Sequence, residues 1–332
     1  MTTGYPRNSK HRYLASVPLL AMLLIASNVL AQQAYPNKPI KLITPYTTGG
    51  MTDLVTRTIA QHFSDRLGQA VVTENRAGAN GAIAMEAVAK SAPDGHTLLL
   101  ASITNYVFLP ASRKSLPFDT VRDFTSVTMA STTPMYLVVH PSLPARNVQE
   151  LIDLGRSQPG KFNYASTGIG SSQHLVMELF KTRTKAQLYH VPFKGSAQAM
   201  VDMISGEVQV MFQGPTSTLP LMQSGKLRAL AITDTKRSPT TPNVPTVAES
   251  GVPGFDFSTW SGIVVPSAVP RAIVNRLNSV AGELLKSQAV IDKFAPQNID
   301  LLYSTPEAMD ERIRRELPLF TKVMRDAGIE AE

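Results

Sequence analysis

The chain has 332 residues, 43% of them hydrophobic and 17% charged, with no cysteine and a formal net charge of +7. That length suits two compact domains. The lack of cysteine excludes disulfides and thiolate metal sites, and the positive balance is too small and dispersed to argue for nucleic acid.

Arg7, Lys10 and Arg12 form a basic opening, Leu14 to Leu30 is apolar, and Val29-Leu30-Ala31 reads as a small-residue cleavage site. The apolar centre, Val17 to Ala26, is shorter than the roughly 20 residues of a membrane span. Residues 1–31 are therefore expected to be a secretory signal peptide, cleaved after Ala31, and its removal leaves a charge of +4. With no second apolar run of about 20 residues, the mature chain is expected to be soluble and periplasmic.

Ile40 to Asp53 (IKLITPYTTGGMTD) reads as a buried strand, a polar glycine-bearing turn and a helix start. Val55, Ile59, Phe63 and Leu67 continue that helix at i+4, and Gly68 is placed to end it. A strand that feeds a helix through a tight turn leaves unpaired N–H groups at the helix start, which favour an anion. An ordinary βα turn would carry the same residues, and neither GxxxxGK[ST] nor GxGxxG is present.

The pattern repeats. Ala70 to Glu74 is a strand, Asn75 to Gly81 a small-residue loop, Ala82 to Lys90 a helix, and Thr97 to Ala101 a third strand. Such an alternation predicts a parallel sheet with its ligand crevice at the carboxyl ends of the strands. Those ends carry Thr47 and Thr48, Ala79 and Asn80, and Ser102 and Thr104. Phe124 to Thr132 and Met135 to His140 read as extended segments crossing into a second unit. There Phe162 to Ala165 precedes the turn Ser166–Ser172 and the helix His174 to Lys185; Gln187 to His190 precedes Lys194-Gly195-Ser196 and the helix Ala197 to Ser205. Val208 to Phe212 ends in Gln213-Gly214-Pro215, and Arg228 to Thr233 is a further strand.

Phe255 to Val265 is long enough to return to the first unit. Pro270 suits a helix start, with Ile273, Leu277, Val280, Ala281 and Leu284 on one face. Thr305-Pro306-Glu307 opens a long C-terminal helix, which Pro318 should kink and Gly328 close. Its charges Asp310, Glu311, Arg312, Arg314 and Arg315 read as a solvated face.

Catalytic signals are weak. No histidine pair has HExxH spacing, there is no GxSxG elbow, and the runs of acids needed for a calcium loop are absent. A hydrolase or lyase on this scaffold would need His174 or Asp53 poised against a cleft serine such as Ser171. What remains is a set of hydroxyls, small residues and helix starts, which suits reversible capture of a carboxylate.

Six motifs stand in order: Pro45–Asp53, Glu74–Gly81, Ala92–Leu99, Val191–Ser196, Gly206–Phe212 and Gly225–Ala231. Over nearly the whole mature chain they resemble the Bug-type substrate-binding proteins of tripartite tricarboxylate transporters. The resemblance implies an α/β, two-lobed, periplasmic-binding-protein-like fold whose hinged lobes close on a small carboxylate, with no enzyme activity, cofactor or metal. It implies a first lobe of residues 32–133 and 256–332 and a second of 134–255. Its ligand-binding residues would be Thr47, Thr48, Gly49, Gly50, Asp53, Ala79 and Asn80, with Ser102 and Thr104 at the third strand end. The second lobe would add Ser166, Thr167, Gly170, Ser171, Gly195, Ser196, Ala197 and Gln213. Asp53 also suits a bracing role, since a bare carboxylate repels an anion. The expected partners are transporter subunits, with the chain a monomer; a sensory receptor would share the same features. Two departures stand out: Thr47-Thr48 replaces the family's usual Pro-Pro or Ala-Pro, and Gln213 replaces a frequent Asp. A neutral amide lacks the negative charge an ammonium prefers, which disfavours an amino-acid ligand.

Overall fold

The structure, a computed structural model, describes residues 1–4, 35–49 and 51–329. Most of the expected signal peptide, and Gly50, lie outside the described residues.

Eleven strands are described: β1 Ile40–Thr44, β2 Val71–Asn75, β3 Thr97–Ser102, β4 Phe124–Pro134, β5 Tyr136–Val139, β6 Asn163–Ser166, β7 Tyr189–Pro192, β8 Val210–Gln213, β9 Arg228–Ile232, β10 Ser258–Pro266 and β11 Asp300–Leu301. They form two sheets, in the orders β11-β4-β10-β3-β1-β2 and β7-β6-β8-β5-β9. In the first, β1 pairs parallel with β2 and β3, while β10 runs antiparallel between β3 and β4. In the second, β6 pairs parallel with β7 and β8, and β5 runs antiparallel to β8 and β9. The chain passes from the first sheet to the second at Met135, between β4 and β5, and returns ahead of β10.

Apolar periodicity accounts for the layers. Helix Met51–Leu67 buries Val55, Ile59, Phe63 and Leu67 against Leu42, Leu98 and Leu100 of the sheet. Gly68 ends it at φ 71°, a left-handed conformation open to glycine at little cost. Helix Arg271–Leu285 adds Val274, Leu277 and Leu284 to the same core. A second core runs continuously from Ile43 and Leu99 of the first sheet to Leu137 and Phe212 of the second. The two units are thus joined by buried side chains as well as by the crossing strands.

Three local features go beyond the sequence expectations. Helix Pro215–Gln223, with Pro220 in its interior, was not anticipated. Helix Pro306–Asp326 continues past Pro318; that residue and Arg314, whose carbonyl loses its N–H partner, are both exposed to water. The charges Asp310, Glu311, Arg312, Arg314 and Arg315 are exposed or partly exposed, whereas the next residue, Glu316, is buried and accepts from Trp260 Nε1 (2.7 Å) and Arg312 Nε (2.7 Å).

Candidate functional site

The carboxyl ends of β1 and β3 open into a cavity of about 210 Å³. Its walls are hydroxyls from Tyr46, Thr52, Ser102, Thr104, Ser131 and Ser261, backed by Val55, Ile103, Trp260 and Ile299; Thr133 and Thr259 complete it. No side chain among them carries a charge. The register of the antiparallel pair sets the far wall: Ser131 lies opposite Ser261, and their hydroxyls are 2.7 Å apart. The Tyr46 hydroxyl bonds to Ser102 Oγ. Burial raises the Tyr46 phenol above its ordinary value, so it stays protonated and able to donate.

The loops around this cavity are held by two carboxamides. Asn105, fully buried, accepts from the N–H (3.1 Å) and hydroxyl (3.0 Å) of Ser102 and donates to Asn80 O (2.7 Å). Gly81 makes that contact possible: its φ is 93°, and a Cβ there would lie 2.1 Å from Asn105 Nδ2. Asn75 Nδ2 donates to Tyr46 O (2.9 Å) and to Asp53 Oδ1 (3.0 Å). The other Asp53 oxygen accepts from Gly49 N (3.1 Å) and Arg57 Nε (2.9 Å). Hydrogen bonds from Arg57 and then Asn75 hold this carboxyl down at about 2, against an ordinary 3.8. Asp53 braces the turn between β1 and its helix.

In the second unit, Ser171 caps helix Ser172–Thr184 by accepting from His174 N–H (3.3 Å). Gly170 N–H donates to His174 Nδ1 (3.1 Å), and Ser166 Oγ lies 2.7 Å from His190 Nε2. Burial lowers the two imidazoles to about 3 and about 4 respectively, so both are neutral near pH 7. The units meet at the cavity rim, where Thr104 Oγ1 and Ser172 Oγ are 3.5 Å apart.

A family model described as the tripartite tricarboxylate transporter family receptor matches residues 55–327. The chain belongs to that family.

The BugT protein of Bordetella pertussis is 38% identical over 319 residues, spanning 96% of this chain and 98% of the relative. Rpa4515 of R. palustris, solved with adipate, is 33% identical with a TM-score of 0.76, over 89% of this chain and 98% of that one. MatC of Rhodopseudomonas palustris, solved with bound malate, is 28% identical with a TM-score of 0.72, over 87% and 99%. Solved members of the family include periplasmic binding proteins.

Of the residues anticipated for ligand binding in this receptor, Ser102 and Thr104 line the cavity. Thr47, Thr48 and Gly49 lie exposed in the turn after β1, and Ala79 and Asn80 lie exposed before helix Ala82–Ala89. Ala79 and Asn80 both have left-handed backbones, φ 46° and 53°. Ser166 ends β6, Thr167, Gly170 and Ser171 lie in the turn that follows, and Gln213 ends β8 beside it. Gly195, Ser196 and Ala197 open helix Ser196–Ser205 at the end of β7. None of these second-unit residues lines the cavity; the second unit comes nearest to it in the contact between Ser172 and the lining residue Thr104. Sequence reasoning missed Ser131, Thr133, Thr259 and Ser261, along with Asn105, which is buried behind the cavity wall.

A larger cavity, about 560 Å³, lies across the crossing point, with Asp234, Ser238 and Thr240 on one side and Asp292 and Asn298 on the other. Adjacent residues divide the two cavities: Thr133 and Ile299 line the smaller, Pro134 and Asn298 the larger. Asn298, with φ 51°, accepts from Ser238 Oγ (2.9 Å) and from Thr240, and donates to Tyr136 OH (2.7 Å).

Proposed function

We propose that this chain is an exported, non-enzymatic receptor that captures a small carboxylate between two lobes and delivers it to a membrane transporter. The carrying observation is a cavity walled by hydroxyls, without a charged side chain, at the carboxyl ends of parallel strands of the first unit, with Ser172 of the second unit 3.5 Å from the lining residue Thr104. Several aligned O–H and N–H donors share an anion's charge there without a salt bridge. Adipate in Rpa4515 and malate in MatC support the same ligand class. The lobes are 32–133 with 256–332, and 134–255, acting as a monomer in the periplasm. The leader-like N-terminus supports that compartment, and among the described residues no helix is long and apolar enough to cross a membrane.

The two groups expected to serve a catalytic alternative are engaged elsewhere. The Nδ1 of His174 is taken by Gly170 N–H, and both Asp53 oxygens are taken by Gly49, Arg57 and Asn75. Neither group reaches a cleft serine as a general base must.

The test is thermal melting of ligand-stripped protein against a panel of di- and tricarboxylates, aromatic acids and amino acids. A bound acid at about a hundred times its Kd adds about 2.7 kcal/mol of stability. No shift with any acid in the panel overturns the reading.

A further inference from the structure

One wall of the small cavity is a ladder of hydroxyls. In the antiparallel pair β4–β10, Ser131 stands opposite Ser261 and Thr133 opposite Thr259. Residues two apart on a strand share a face, so all four line the cavity from one sheet surface. Their protons are unequally placed. Thr259 Oγ1 donates to the backbone carbonyl of Thr133 (2.9 Å), and a carbonyl can only accept, so that proton is committed. The buried hydroxyls of Ser131 and Ser261 are 2.7 Å apart; one proton lies between them and the other stays free.

The strand ends β1 and β3 are ordered in the same sense. Asn105 Oδ1 accepts from the backbone N–H of Ser102, which can only donate, so that end of the carboxamide is oxygen. The Ser102 hydroxyl must then donate to it. With the Ser102 proton spent, the bond between Tyr46 and Ser102 takes its proton from the phenol. Tyr46, Ser102 and Thr259 therefore meet the cavity as oxygens with no proton left to give.

A carboxylate only accepts, so it gains nothing from these three and is left to the remaining donors, among them Thr52 at the helix start. An ammonium would donate to them, but no charged side chain lines the cavity to balance it. A neutral hydroxyl meets both conditions. It donates to Thr259 Oγ1 and accepts the free proton of the Ser131–Ser261 pair. Residues two apart on a strand are separated by about 6.5 Å. An oxygen hydrogen-bonded to a hydroxyl on either side spans about 5.5 Å, so one ligand oxygen suits the gap between Thr259 and Ser261.

We propose that the acid captured by this chain is a hydroxycarboxylate, whose hydroxyl bridges Thr259 and the Ser131–Ser261 pair while its carboxylate stays with the remaining donors. This rests on the carboxylate-receptor reading above and narrows it to one subclass.

The experiment is titration calorimetry on the full mature chain with acids paired by a single hydroxyl: malate and succinate, citrate and tricarballylate, 3-hydroxybutyrate and butyrate. In the pair that binds, the hydroxylated member is expected to be tighter by about tenfold or more. Thr259→Val, which keeps the shape and removes the oxygen, should cut that preference about threefold or more, and Thr259→Ser should retain it. Equal affinities within every pair that binds, or a preference undiminished in Thr259→Val, overturn the proposal and leave the receptor reading standing. No binding of any acid overturns both. Should Thr259→Val fail to fold, Ser261→Ala takes its place: it breaks the serine pair and should cut the preference similarly, and an unchanged preference overturns the proposal.

Discussion

The imidazoles of His174 and His190 lie face to face, with ring centroids 3.9 Å apart and planes 11° from parallel. Tyr164 stacks against both, its ring centroid 4.8 Å from that of His190 and 6.3 Å from that of His174. This stack adjoins the turn Ser166–Ser171: His174 is neutral because it accepts from Gly170 N–H, and burial keeps its neighbour His190 neutral near pH 7.

Acid should therefore loosen the turn. Folding lowers both histidines, to about 3 and about 4, so the unfolded chain binds more protons below its ordinary histidine value of 6.5. The stabilisation is full above pH 6.5 and is lost as pH falls toward the folded values. We expect a loss of roughly 1–2 kcal/mol per imidazole by about pH 5. Urea melts at about pH 7.5 and pH 5 check this, and His174→Asn with His190→Gln should flatten the difference.

Asp53 gives a second, lower limb. Its folded value of about 2 lies below the ordinary 3.8, so its contribution is present above 3.8 and disappears as pH falls through about 2. Asp53→Ala should cost about 1–2 kcal/mol at neutral pH, discounted because Arg57 is half exposed. Melting curves between about pH 4 and pH 2 should be steeper for the parent than for this variant. Equal slopes would remove the bracing role.

Gly81→Ala should be far more damaging than Gly160→Ala. Both glycines have positive φ, 93° and 73°, but a Cβ at Gly81 collides with Asn105 while one at Gly160 meets open space. We expect about 2–4 kcal/mol against about 1 kcal/mol in denaturant midpoints. Similar losses would mean that the Asn105 contact yields without penalty.

Trp260 is the sole tryptophan and lines the small cavity. Saturation with a bound acid should change its emission with the same midpoint as calorimetry. Binding by calorimetry without any change in emission would place the ligand elsewhere.

The first half of this site was legible because parallel βα units expose their strand ends in sequence. Ser102 and Thr104 follow a run of buried leucines, so their place beyond β3 could be read directly. Ser131 and Ser261 could not. Their meeting depends on the antiparallel register of β4 and β10, which shifts between Ser261 and Gly262, and a shift of one residue sends each side chain to the opposite face. Glu316 was hidden differently: it stands in a charged helical run, and only the fold brings Trp260 to it. Asn105 sits in a five-residue π-helical turn that no periodicity announces.

The partition between the two cavities is a single residue thick at both Thr133–Pro134 and Asn298–Ile299. A guest that pushes Ile299 outward therefore pushes on Asn298, whose amide is bound to Ser238, Thr240 and Tyr136 of the other unit. On the two-lobed receptor reading proposed above, filling the inner chamber and tilting one half of the molecule against the other become linked through that diaphragm.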